Sequence, residues 1–175
     1  EYVIQDCKPV GLIVSNENIL NKIITAANNL GYVFNFIIHL DKLDRDYLGQ
    51  NLISYTKDIK LNSSITSFVF NKEILQRKDP ACIIYTSGTE GNPKGVILSH
   101  GGILSNCDSA LDLLKDIKTK NHTFLTWLPL SHSYEHTIQF VQIALQAKVF
   151  YAESLEKLLS NLKTASPTIM TAVPR

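Results

Sequence analysis

The amino-acid sequence predicts an α/β fold with a largely parallel sheet flanked by helices. Short apolar runs typical of strands alternate along the chain with segments whose apolar residues recur at helical spacing. Two parallel strands need a crossover connection, which a helix usually provides, so this alternation favours parallel strands covered on both faces. Residues 85–95 are rich in glycine and hydroxyl side chains and follow directly after one apolar run. The sequence therefore predicts a binding loop at the end of a strand.

The first third of the chain contains a β-α-β unit. Residues 10–14 form a short apolar run, and Ser15 and Asn16 after it are residue types that cap helices. Gly31 marks the end of the helix, and residues 33–38 form the second strand. Between these limits the apolar residues recur at helical period: Ile19, Leu20, Ile23, Ile24, Ala27 and Leu30.

Between residues 39 and 78 the periodicity is weak. The charged stretch 41–45 is typical of a solvated surface segment, 65–70 has the composition of a short strand, and 71–76 is compatible with one or two helical turns. This region therefore contributes little to the predicted fold.

The rest of the chain alternates more regularly. Strands are predicted at 81–84, 123–128, 148–151 and 168–173. Helices are predicted over about 101–118, around Ile138, Val141 and Leu145, and around Leu155, Leu158, Leu159 and Leu162. The first of these helices begins near Ser99 and His100, shortly after the loop. We therefore expect its dipole to support an anion bound there.

Composition excludes several classes of protein. The chain has 175 residues and a formal net charge of +1, and no Lys/Arg cluster offers a track for a nucleic-acid backbone. No apolar run is long enough to span a bilayer, and no secretory signal pattern opens the chain. The three cysteines, Cys7, Cys82 and Cys107, lack CxxC spacing, so we expect small buried thiols in a reducing cytoplasm.

The segment YTSGTEGNPKG, residues 85–95, has the chemistry of a phosphate cradle. Its glycines let phosphate oxygens approach the backbone, and the hydroxyls of Thr86, Ser87 and Thr89 can donate hydrogen bonds. Lys94 adds a mobile positive charge suited to phosphate. A P-loop of the GxxxxGK(S/T) type is excluded by spacing, because Pro93 stands where its second glycine should be.

The same segment resembles the phosphate-loop signature of the adenylate-forming, or AMP-binding, superfamily. This resemblance implies that ATP phosphates are held by Thr86, Ser87, Gly88, Thr89, Glu90, Gly91 and Lys94. Glu90 departs from the signature, which most often has threonine there. A carboxylate among phosphate donors would repel ATP unless it turns outward or helps to hold magnesium.

Two further segments resemble the long-chain fatty acid:CoA ligases of this superfamily. Residues 127–135 read WLPLSHSYE, and Pro167-Thr168 with residues 173–175, VPR, complete the likeness. In that family the histidine of the first segment, here His132, lies beside the bound acyl-adenylate. The resemblance thus implies two catalytic residues, His132 and Lys94.

Other roles for the histidine segment remain open. His132 could instead cap the helix that follows, and Glu135 could make a local contact at the start of that helix. The order HSYEH is not the HExxH of zinc enzymes, so no metal ligand is assigned. Ser131 lacks the G-x-S-x-G context of a hydrolase nucleophile.

The implied reaction is the activation of a long-chain fatty acid with ATP and Mg²⁺ to an acyl-adenylate, followed by thioester formation with coenzyme A. One alternative is adenylation for a carrier protein. The other is a truncated nucleotide-binding fragment without activity. The implied partners are the small molecules fatty acid, ATP and coenzyme A, with no nucleic acid.

The resemblance also implies a domain assignment. We expect residues 1–175 to be part of the large N-terminal AMP-binding domain, with 79–175 holding the phosphate loop and acyl-adenylate region and 1–78 holding the β-α-β unit. The C-terminal domain of the family is absent, so the chain alone should not catalyse adenylation. We expect a cytoplasmic parent enzyme, and long-chain substrates are compatible with peripheral contact at the inner membrane face.

Overall fold

The computed structural model describes residues 1–44, 47, 49–55, 75–87, 91–117 and 121–173. The chain divides into two compact units, Glu1–Phe70 and Asn71–Arg175. None of the helices in these described ranges is long and apolar enough to cross a membrane.

The first unit is built around a parallel three-stranded sheet in the order β1-β2-β3. Its elements are α1 (Tyr2–Cys7), β1 (Gly11–Val14), α2 (Glu17–Leu30), β2 (Phe36–His39) and β3 (Leu52–Ser54). The predicted β-α-β unit is confirmed as β1-α2-β2. Helix α1 and strand β3 were not predicted, because both are short and neither has a clear period.

Helix α2 begins and ends at the predicted residues. The Asn16 side chain accepts a hydrogen bond from the Ile19 backbone N–H at 3.1 Å, and Gly31 ends the helix in the left-handed conformation. The apolar face packs into the core of this unit, where Leu20 and Ile37 are fully buried. Five of the six apolar residues that the sequence pattern selects lie in this core or pack against it, whereas the sixth, Ile19, is exposed.

Replacing Asn16 with alanine should lower the free energy of unfolding by about 1 kcal/mol, because one amide of the first turn of α2 loses its acceptor. Urea denaturation with the Asn28→Ala variant as control checks this, since Asn28 is exposed on the same helix. Equal midpoints for the two variants would contradict the capping role.

The second unit contains a hairpin and a parallel strand pair, each associated with helices. Its elements are β4 (Pro80–Thr86), β5 (Lys94–Ser99), α3 (His100–Leu114), β6 (Thr123–Thr126), α4 (Ser133–Ala144), β7 (Lys148–Tyr151) and α5 (Leu158–Ala165). Strands β6 and β7 are parallel, with α4 as their crossover connection. The core of this unit is formed by Ile103, Cys107 and Val141, which join α3 to α4.

Strand β5 was not predicted, and it changes how the loop relates to helix α3. Strands β4 and β5 are antiparallel, with Thr86 opposite Lys94 at one end and Pro80 opposite Ser99 at the other. The 6 residues of β5 separate the loop from the start of α3, a distance of roughly 20 Å. The expectation that the α3 dipole supports the loop's anion is therefore wrong.

The predicted strand at 168–173 is also wrong. The structure gives one parallel bridge there, between Phe124 and Ile169, and the rest of the segment is irregular. The predicted strand at 65–70 and residues 71–74 of the helical turns predicted at 71–76 lie outside the described residues, and residues 75 and 76 are not helical. The α/β class with parallel strands flanked by helices is confirmed, with the hairpin as its antiparallel exception.

Candidate functional site

The phosphate-cradle residues lie at the closed end of the β4–β5 hairpin. Thr86 ends β4 and Lys94 begins β5, and the two residues are opposite each other in the ladder. Both side chains are exposed, as is Ser87, and the Thr86 hydroxyl donates to the Lys94 carbonyl at 3.5 Å. The structure therefore brings these hydroxyls and the lysine side chain together at a solvent-accessible end of the hairpin. The predicted residues Gly88, Thr89 and Glu90 lie outside the described residues.

Two glycines of the hairpin are required by backbone geometry. Gly91 has a φ of +97°, a conformation that side-chain-bearing residues rarely adopt. At Gly95 a Cβ atom would lie 3.0 Å from the Ile83 side chain and 3.3 Å from the Tyr85 ring. The first glycine permits the turn, and the second permits the ring to lie across the hairpin.

His132 borders a cleft at the start of α4. The cleft has a volume of about 340 Å³ and is lined by Leu128, His132, Ser133, Tyr134, Glu135 and Val173. His132 occupies the N-cap position of α4, but its exposed side chain makes no capping hydrogen bond. The capping role considered from the sequence is therefore wrong, and the imidazole is available to a ligand.

Glu135 is buried in the wall of this cleft, with 1% of its surface exposed. Its carboxylate accepts a hydrogen bond from the Thr171 hydroxyl at 2.9 Å, and the Trp127 indole N–H donates to the Thr171 carbonyl at 2.7 Å. The local helix-start contact expected for Glu135 is therefore wrong. Its contact instead fixes the segment around Thr171 against the residues next to His132.

A chain of polar side chains fixes α4 to the parallel strand pair. The Gln142 amide donates to the Thr126 hydroxyl at 2.9 Å, and the Gln139 amide donates to the Gln142 carbonyl oxygen at 3.0 Å. The Tyr151 hydroxyl donates to the Gln139 carbonyl oxygen at 2.8 Å. Gln142 is 1% exposed, so its hydrogen bonds are needed to offset its burial. No sequence pattern revealed this chain, because its members are spread over β6, α4 and β7.

Thr171→Val should lower the free energy of unfolding by about 2 kcal/mol, because it removes the donor to a buried carboxylate without changing the side-chain shape. Urea denaturation checks this. The control is Thr137→Val, whose hydroxyl donates only to the Ser133 carbonyl within α4. A loss no greater than that of the control would contradict a stabilising Glu135–Thr171 contact.

The donor set of the hairpin fits a polyphosphate better than it fits a metal. Hydroxyls, backbone amides and a lysine bind phosphate oxygens, whereas Mg²⁺ takes carboxylates together with phosphate oxygens. Within the described ranges, no group of three or more His, Cys, Asp or Glu residues could hold a metal ion.

The whole chain, residues 1–175, matches the profile of the AMP-binding enzyme family. The chain belongs to this family. It is 31% identical to a long-chain-fatty-acid–CoA ligase of Mus musculus, ACSBG2, over 100% of this chain and 27% of that protein. It is 34% identical to long-chain-fatty-acid–CoA ligase 1 of Homo sapiens over 56% of this chain and 14% of that protein. The chain thus spans about a quarter, or less, of these relatives.

Solved structures of AMP-binding enzymes share this fold. The luciferase-like enzyme of the mealworm Zophobas morio superposes with a TM-score of 0.74 at 17% identity, over 99% of this chain and 38% of that one. ATP-bound MatB of Rhodopseudomonas palustris gives a TM-score of 0.64 at 22% identity, over 97% of this chain and 30% of that one. At these identities the likeness supports the α/β fold alone.

Proposed function

We propose that the chain is the phosphate-loop segment of an acid–thiol ligase. The enzyme would activate a long-chain fatty acid with Mg-ATP and transfer the acyl group to coenzyme A. The observation that carries this proposal is the hairpin end, where exposed Thr86, Ser87 and Lys94 surround a glycine-containing turn. Relatives named as long-chain-fatty-acid–CoA ligases, including the mouse and human ACSBG2 proteins that match the full length of this chain, support the substrate class.

In the first half-reaction the fatty carboxylate attacks the α-phosphorus of ATP, and the bond to pyrophosphate breaks. Lys94 and the hydroxyls of Thr86 and Ser87 bind the β- and γ-phosphates and offset the charge that grows on the leaving pyrophosphate. His132 borders the cleft at the start of α4, where it donates a hydrogen bond to the reacting carboxylate or to the adenylate formed from it. When bound, Mg²⁺ would supply further charge neutralisation on the phosphates. The residues of this chain need no covalent intermediate.

The alternative acceptor is a carrier protein. The adenylating protein McyG, solved with its carrier-protein domain, superposes with a TM-score of 0.58 at 18% identity, which supports only a shared fold. The segment LPLSHSYE and the names of the relatives favour coenzyme A.

The test is pyrophosphate release and acyl-CoA formation by the longer polypeptide that carries this chain, supplied with Mg-ATP and fatty acids of increasing length. We expect both products with long-chain acids. Adenylate without acyl-CoA would favour a carrier-protein acceptor, and no product with any acid would contradict the ligase proposal. Residues 1–175 assayed alone should be inactive, because a few phosphate contacts cannot position both reactants.

Glu90→Thr should change the adenylation rate by no more than about tenfold, or ~1.4 kcal/mol. This follows if the carboxylate turns outward or assists the metal only weakly. Steady-state rates at varied ATP and Mg²⁺ check it, with Glu90→Gln as the isosteric control. A loss far beyond tenfold would show that Glu90 is essential, and a large gain would show that it inhibits ATP binding.

A further inference from the structure

Cys82 and His136 form a thiol–imidazole contact in the second unit. The Cys82 sulfur lies 3.4 Å from Nε2 of His136, although the two residues are 54 positions apart in sequence. Both side chains are partly buried. This distance is within hydrogen-bonding range for sulfur, and the donor and acceptor roles depend on the tautomer of the imidazole.

A strand irregularity directs Cys82 toward α4. Successive residues of a regular strand point to opposite faces, yet Ala81 and Cys82 both pack against the cluster of Ile103, Cys107 and Val141. The ladder register shifts between Pro80 and Cys82, as in a β-bulge. The shift explains how two neighbouring side chains face the same helices.

The imidazole is also fixed in place. The His136 ring packs edge-on against Phe140, with centroids 5.2 Å apart and an interplanar angle of 77°. The His136 backbone N–H donates to the His132 carbonyl at 2.9 Å. His136 therefore stands one helical turn after His132, held in an orientation that presents Nε2 to the sulfur.

The other two cysteines are in different surroundings. The Cys7 thiol donates to the Val3 carbonyl at 3.1 Å. Burial raises the pKa of the Cys107 thiol, and the negative charge of Asp108 raises it further. A raised pKa leaves less thiolate at neutral pH, so Cys107 should be the least reactive of the three.

We propose that Cys82 and His136 form an imidazole-activated thiol pair, and that Cys82 is a covalent modification site for soft carbon electrophiles. The thiol proton moves to Nε2 of His136, and the thiolate attacks the electrophilic carbon. With iodoacetamide a carbon–sulfur bond forms, the carbon–iodine bond breaks, and iodide leaves. His136 later releases the proton to solvent. Because the thiolate is the nucleophile, this proton transfer sets the rate near neutral pH.

The pair lies on the two elements that carry the two parts of the candidate site, β4 and α4. Cys82 stands four residues before Thr86 on β4, and His136 is on the helix that begins after His132. An adduct on Cys82 cannot keep the sulfur–imidazole contact between β4 and α4. The modified enzyme should therefore adenylate more slowly, a consequence that rests on the proposed function, whereas the labelling itself does not.

The elements packed against the pair carry other titratable groups. On α3, Cys107 belongs to the apolar cluster against which Cys82 packs, and Asp108 follows it in sequence. On α4 the Glu135 carboxylate accepts a hydrogen bond from Thr171. On β5, Lys94 stands at the end of the strand that is opposite to Ser99, the residue that pairs with Pro80. His136 is the base in contact with the sulfur, so its removal is the direct test.

The experiment is iodoacetamide labelling of the folded polypeptide at pH 6 to 9, with the rate at each cysteine followed by peptide mass spectrometry. We expect Cys82 to label at least about tenfold faster than Cys107 at pH 7, and faster than Cys7. Between pH 6 and 8 the Cys82 rate should rise less steeply than the Cys7 rate, since the imidazole already takes its proton. His136→Gln should slow Cys82 about fivefold or more at pH 7, and His100→Gln should not.

Cys107 reports whether a variant remains folded. Slow Cys107 labelling together with an unchanged Cys82 rate in His136→Gln would overturn the proposal. If Cys107 becomes reactive in that variant, the variant is not folded, and the pH profiles of the wild type are used instead. Parallel profiles for Cys82 and Cys7 in the wild type would also overturn the proposal. Labelled enzyme that keeps full adenylation activity would refute the functional consequence and leave the ligase assignment intact.

Discussion

Lys94→Ala in the enzyme that carries this chain should reduce kcat/KM for ATP by roughly 10- to 150-fold. Removing a charge-assisted contact to phosphate costs about 1.5–3 kcal/mol, and each 1.36 kcal/mol corresponds to a factor of ten. The Lys94 side chain is exposed at the end of the hairpin, so its removal should leave the strands paired. Pyrophosphate release at varied ATP, together with thermal unfolding, measures both effects.

The matched control for Lys94 is Lys115→Ala. Lys115 is also an exposed lysine of the second unit, at the C-cap of α3, and it pairs with Asp112 at 2.8 Å. An exposed ion pair of this kind contributes little, so this variant should retain its ATP kinetics and its stability. Unchanged kinetics for Lys94→Ala as well would refute the phosphate-binding role of the hairpin.

His132→Ala should lower the rate of acyl-adenylate formation by about 10²-fold, comparable with the loss of one donor to a developing oxyanion. The free energy of unfolding should change little, because the imidazole makes no capping bond to α4. Single-turnover adenylate formation separates this effect from thioester formation and product release.

His132→Asn distinguishes hydrogen bonding from proton transfer at this position. Asparagine keeps a donor but cannot ionise, so a loss of only about tenfold would indicate that the donor matters more than the charge. His100→Asn is the control, since His100 lies at the start of α3 and outside the cleft. Equal rates for the wild type and His132→Ala would place the acyl-adenylate elsewhere.

The sequence was most informative where a pattern is local. Asn16 begins α2 and Gly31 ends it, each through hydrogen bonds to residues only a few positions away. Their residue types alone therefore predicted the bounds of the helix. The apolar run 148–151 is strand β7 at the predicted residues. Strand β5 was not predicted because it begins directly after the loop motif. Its exposed residues Val96 and Ile97 also do not alternate with polar residues, so the period of a strand is lacking. The strand predicted at 168–173 has the right composition but finds one bridging partner, Phe124.

The candidate site shows the same difference between features that are local in sequence and contacts between distant residues. The phosphate-cradle residues lie within one short segment, so a motif alone is enough to predict them, and the ladder places Thr86 opposite Lys94. The contact of Glu135 with Thr171 spans 36 positions, and that of Cys82 with His136 spans 54. Such pairings depend on how helix α4 packs against the strands. No periodicity in a single sequence encodes them.

The pairing of Thr86 with Lys94 has a consequence for how this segment can change. Their spacing is set by the register of β4 and β5, not by the conformation of the residues that connect them. Adding one residue to β5 would turn every later side chain of that strand to the opposite face. Adding one residue to the connecting turn would leave the hydroxyl and the ammonium group where they are. Changes of turn length should therefore preserve the pairing of Thr86 with Lys94 more readily than changes of strand length.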